Sequence, residues 1–68
     1  MNADLKQLRH AEDLVRRAET THNMVQRFQW FKCAAAIYNA EGQESLAAAS
    51  EQMAKQTHEL LEGNEYGP

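Results

Sequence analysis

Met24-Val-Gln-Arg-Phe-Gln-Trp-Phe-Lys-Cys-Ala-Ala-Ala-Ile-Tyr38 holds the only Trp, both Phe residues, the only Cys and one of the two Tyr residues of a 68-residue chain. It contains no Gly or Pro, so it reads as helix. At 100° per residue, Met24, Phe28, Phe31, Ala35 and Tyr38 form one stripe, and Trp30, Ala34 and Ile37 form a second on a different face. A helix that is apolar on two faces needs two packing partners. The reading of the fold works outward from that requirement.

Upstream, Leu5, Leu8, Ala11, Val15, Ala18, His22 and Val25 recur at spacings of three and four. Asn2 is placed to cap the start, with Asp4 in the first turn at the positive end of the helix dipole. Glu12 with Arg16 and Asp13 with Arg17 have the favourable i,i+4 order. The spacing predicts one helix over about 3–40. Its weak point is Thr20-Thr21-His22-Asn23, where poor helix formers meet and Asn23 followed by Gln26 resembles a capping box. A break there is the alternative. Continued as heptads, the stripe would bring Gln29 and Lys32 into the seam, and Phe28 and Phe31 take over instead, so the contact face rotates along the helix.

Downstream, residues 40–43 are the turn, with Gly42 suited to a left-handed conformation just past a helix end. A second helix is expected over about 44–62. Leu46, Ala49, Met53, Thr57 and Leu60 form its stripe, flanked by Ala47, Ser50, Ala54 and Leu61. Met24, Phe28, Phe31 and Ala35 are expected to meet Leu46, Ala49 and Met53, with small residues facing large ones. Glu51 and Lys55 make another i,i+4 pair. Gly63 is expected to end the helix, leaving 63–68 as a flexible tail.

The whole is one all-α domain, a helical hairpin with a long first helix and a shorter second one. At 1.5 Å per residue the two span roughly 55 and 30 Å, so the second covers only about half of the first. A homodimeric bundle would bury the rest through Leu8, Val15, Ala18, His22 and Val25. A three-helix monomer, broken near Asn23, is the competitor. Trp30, Ile37 and Tyr38, with Glu41 and Glu44 at the same end, are then left over for the dimer or as a partner-binding patch, because exposed aromatic anchors dominate binding sites. The rival reading is that Trp30, Ile37 and Tyr38 are core.

Composition sets the outer limits. At this size a lone core is marginal, and one Cys permits no intrachain disulfide, so oligomerisation is the available support. Met-Asn-Ala-Asp-Leu-Lys is not followed by the apolar stretch of a signal peptide, and no apolar run approaches the ~20 residues of a membrane span. A free Cys without an export signal points to a reducing cytoplasm. The halves carry about +2 and −5, within a net charge of −3, which argues against nonspecific nucleic-acid binding. His10, His22 and His58 show no metal-ligand spacing, and Cys33 has no His at a neighbouring turn position. No paired carboxylates, activated nucleophile or phosphate loop is present, so no catalytic residue, metal or cofactor is expected and an enzyme is the least favoured class.

Three resemblances bear on function. Trp30, Ala34 and Ile37, followed by Leu46, fall roughly where a tetratricopeptide repeat places its Trp, small residue, Tyr and Ala. Cys33 stands where that repeat has Leu, no closing Pro follows, and a lone repeat cannot bury its faces. That resemblance therefore implies no more than a helical hairpin. Lys6, Arg9, Arg16 and Arg17 lie on the first helix of a pattern similar in architecture to the dimeric helical hairpins that regulate plasmid copy number by binding paired RNA loops. In size and helix pattern the whole chain resembles the short dimeric helical proteins with which bacteriophages disable host proteins, among them quorum-sensing anti-activators that bind a transcription activator. That resemblance implies a non-catalytic inhibitor or adaptor that forms a homodimer, binds a host protein such as a transcription regulator, and works in the bacterial host cytoplasm. It rests on no aligned motif and assigns no residue. A helical RNA- or DNA-binding regulator and a structural assembly subunit are the alternatives.

Overall fold

The computed structural model describes residues 4–66, with side chains through residue 63. Three helices follow one another: α1 (Leu5–Thr20), α2 (Met24–Ala40) and α3 (Glu44–Tyr66). The described residues are all helix and turn. α2 is central and packs against both of the others.

The long first helix expected over about 3–40 is interrupted at residues 21–23, so the hairpin gives way to three helices. The cause is local competition for backbone groups. Thr20 Oγ1 donates to the carbonyls of Arg16 (3.1 Å) and Arg17 (3.3 Å), and Thr21 Oγ1 accepts from the Asn23 N–H at 3.1 Å. Asn23 then caps α2, its Oδ1 accepting from the Gln26 N–H at 3.1 Å. α1 begins two residues later than expected: Asp4 is its N-cap, with Oδ1 accepting from the Lys6 N–H at 2.9 Å. Asn2 lies outside the described residues. The turn at Glu41–Gln43 is as expected, with Gly42 at φ +77°. Gly63 does not end α3, which continues to Tyr66. The tail expected over 63–68 is therefore helical through residue 66, and residues 67 and 68 lie outside the described part.

The break lets α1 fold back on α2, which supplies the second partner that the two stripes demand. One buried cluster joins Ala11, Ala34, Tyr38 and Ala47, with Leu8, Leu14, Val15 and Ile37 packed against it. The other joins Ala18, Phe31 and Ala54, with Val15, Phe28, Trp30 and Met53 against it. Each cluster takes one residue from each wall: Ala11 and Ala47 in the first, Ala18 and Ala54 in the second. By helix spacing, the Trp30–Ala34–Ile37 stripe lies beneath α1 and the Phe28–Phe31–Tyr38 stripe beneath α3. α3 meets α2 with Ala47, Ser50, Ala54 and Thr57, all buried, and not with the Leu46–Ala49–Met53 stripe expected to do so. Small residues let the two backbones approach around Phe31 and Tyr38, and a face of Leu and Met would hold them apart. Thr57 satisfies its buried hydroxyl by donating to the Met53 carbonyl at 2.8 Å.

Of the expected ion pairs, Arg17 Nε meets Asp13 Oδ2 at 2.8 Å. Among the described residues neither Glu12 with Arg16 nor Glu51 with Lys55 comes within pairing distance, because these exposed side chains gain little from being held together.

Candidate interaction face

The five residues expected to form a partner-binding patch do not share one exposed surface. Tyr38 is 4% exposed, inside the first cluster. Trp30 and Ile37 are half-buried, Trp30 against the cluster of Ala18, Phe31 and Ala54, and Ile37 against the cluster of Ala11, Ala34, Tyr38 and Ala47. Glu41 acts as a tie: its Oε1 accepts from the Asp4 N–H at 2.7 Å, joining the start of α1 to the end of α2. Its charge also sits at the positive end of α1. Of the five, only Glu44 is exposed. The correction has one physical cause. Trp30 and Ile37 were free only while α1 ran on in line with α2, and the break at 21–23 lays α1 over them.

The residues expected to make a dimer seam are dispersed for the same reason. Ala18 is fully buried, Leu8 and Val15 are half-buried against the clusters, His22 is exposed in the interhelix turn, and Val25 is 54% exposed on α2. A seam continuous from Leu8 to Val25 would need the unbroken helix.

A different apolar surface is left open. The two stripes of α2 lie roughly 110° apart at ~100° per residue, so α1 and α3 sit on different sides of it and are spread from one another. Three helices in a closed triangle at about 9 Å would measure roughly 14 by 12 Å across their Cα positions, whereas the cross-section here is 18 by 11 Å. This is the layout of a four-helix bundle with one corner vacant. The resulting groove has a volume of about 210 Å³ and is lined by Val15 and Glu19 of α1, Tyr38 of α2, and Leu46, Ala49, Ser50 and Met53 of α3. Leu46 is 47% exposed and Leu60, further along the same stripe, 59%. Shallow, open and below the roughly 300 Å³ at which ligand pockets begin, the groove suits a helix better than a small molecule.

Its electrostatics are acidic on the α1 side. Burial raises the Tyr38 pKa above its ordinary value, and the nearby Glu12 carboxylate raises it further. Glu12 and Glu19 have no ion-pair partner among the described residues, and both are exposed. The signal for this face was present in the sequence as two adjacent heptad stripes on α3. Assigning the bulkier one to the core hid it.

Elsewhere the chemistry is structural. His58 Nδ1 pairs with Glu62 Oε1 at 2.7 Å, and its ring tilts against Phe28 at 5.4 Å. The Arg27 guanidinium lies 5.7 Å over Phe31, and its buried Nε has no hydrogen-bond partner. Cys33 is exposed. Among the described residues no three His, Cys, Asp or Glu side chains gather where they could hold a metal ion, and no helix is long and apolar enough to cross a membrane. Compared with known proteins, the chain matches no family model, no curated protein and no solved structure.

Proposed function

We propose that the chain is a non-catalytic protein-binding inhibitor or adaptor, of the kind bacteriophages direct at a bacterial host protein such as a transcription activator. It works by receiving an amphipathic helix of its target on the open face between α1 and α3. The observation that carries this reading is the vacant bundle corner: Leu46, Ala49 and Met53 on one wall, Val15 on the other and Tyr38 beneath them. An apolar face left open between two helices is a standard seat for a helical ligand, and the unpaired Glu12 and Glu19 favour a helix with basic flanks.

The nucleic-acid reading needs Arg9, Arg16 and Arg17 free on one face. Glu12 and Asp13 stand among them, and Asp13 already holds Arg17. That interleaving disfavours a phosphate backbone. The test is capture from a bacterial lysate by the wild-type chain beside Ala49→Glu, which places a charge in the groove without removing a core contact. A target held by the wild type and lost by a variant of equal helicity supports the reading. Equal capture by both moves the binding surface away from the open face, and capture that collapses with added salt alone in favour of nucleic acid returns the regulator reading.

A further inference from the structure

α1 carries six exposed charges, Lys6, Arg9, Glu12, Arg16, Arg17 and Glu19. Arg17 pairs with Asp13, and among the described residues the others are not ion-paired, four of them being Arg9, Glu12, Arg16 and Glu19. Their order has a hidden symmetry. If α1 lies antiparallel to a second α1 with Leu14 as the midpoint, Arg9 falls opposite Glu19 and Arg16 falls opposite Glu12. Both matches use the same midpoint, and the two-fold repeats each of them.

α3 has an independent midpoint. On its exposed stripe, Leu46 and Met53 exchange about Ala49–Ser50, with the small Ala49 side chain exposed where two helices would come closest. The fold aligns these two midpoints. Ala11 shares a cluster with Ala47, and Ala18 shares one with Ala54, so Leu14 of α1 stands level with Ser50 of α3. One two-fold axis, perpendicular to the helices, satisfies both registers. The flanks of the α3 stripe are Ser45, Gln52 and Gln56, so closure brings no acids face to face there.

We propose that a second copy of this chain covers the open face in the free protein, α1 against α1 and α3 against α3, about an axis level with Leu14 and Ser50. The inference rests on the open face being the working surface, and it adds a form of regulation: the face is occupied until a target helix displaces the second copy. The apolar stripe supplies the adhesion, and the exposed charges set register and selectivity.

Sedimentation equilibrium of the full chain at micromolar to submillimolar concentration should give about twice the 7.7 kDa chain mass. Arg9→Glu with Arg16→Glu should weaken the dimer by at least ~10-fold, since all four pairs become like-charged. Adding Glu12→Arg and Glu19→Arg should restore it. Circular dichroism checks that each variant stays helical. Should the double variant lose helix, Ala49→Glu tests the same axis and should give a helical monomer. A wild type that is monomeric throughout the range overturns the proposal, as does a dimer indifferent to both the charge reversal and Ala49→Glu. A wild-type dimer that captures no target sinks the function reading alone. A monomeric wild type that still captures a target through Ala49 sinks only self-association.

Discussion

The Tyr38 hydroxyl titrates above its ordinary value of 10.0 because burial disfavours the phenolate, and the Glu12 carboxylate adds to that cost. The fold therefore favours the neutral ring. In the unfolded chain the ring ionises first, near pH 10, so this stabilisation is complete below that pH and is lost as pH rises through the higher folded value. Urea unfolding between roughly pH 8 and 11 should show wild-type stability falling more steeply than that of Tyr38→Phe. Parallel curves would mean that the hydroxyl is equally solvated in both states. Truncation at the same depth acts through packing. Phe31 is 1% exposed, and Phe31→Ala should cost about 3–5 kcal/mol, comparable with the whole stability of so small a domain. Tyr38→Ala belongs to the same class, so a thermal melt should report the loss before any binding assay does.

At the level of elements, the helix boundaries depend on a few side chains. Asn23→Ala removes the acceptor for the Gln26 N–H and should destabilise the protein by about 1 kcal/mol, while Asn23→Gly costs only a few tenths. Equal losses in chemical denaturation would show that the cap is not what ends the interruption. Gly42 is held at φ +77°, and a Cβ there would meet nothing within 4 Å. Gly42→Ala should therefore cost about 1 kcal/mol from the backbone alone. The small-residue stripe of α3 sets how closely that helix approaches α2. Ala54 is 1% exposed between Phe31 and Ala18, and Ala54→Leu should cost about 1–3 kcal/mol by overpacking. The same change at the exposed Ala49 should leave the melting temperature nearly unmoved.

For the molecule as a whole, the architecture is a central helix with two unequal attachments. α2 is covered from two sides, whereas α1 is held mainly by α2 and by the Glu41–Asp4 tie. Local opening should follow that order. Hydrogen exchange at a concentration that keeps the chain monomeric should show α1 amides opening at a lower free energy than those of α2. Raising the concentration should protect α1 if the open face closes on a second copy. Uniform protection across all three helices would point to a single cooperative unit and remove the reason to treat α1 as a separable wall.

The all-helical class, the turn at residues 40–43 and the need of Met24–Tyr38 for two partners were legible in the sequence, because each follows from periodicity or from one residue's backbone preference. Tertiary structure decided which partners they are. Thr20–Asn23 permits both a continuous helix and a break, since its local preferences are worth only tenths of a kcal/mol per residue. The break prevails where it lets α1 pack back on α2, with Leu14 and Val15 against the cluster that holds Ala34. On α3 two stripes of equal period ran side by side, and hydrophobicity alone favoured the larger residues. The closeness of approach to Phe31 and Tyr38 selected the smaller ones, and that choice left Leu46, Ala49 and Met53 on the surface. Periodicity names the faces of a helix, but which face is buried depends on the shape of what it meets, and that exists only once the chain has folded.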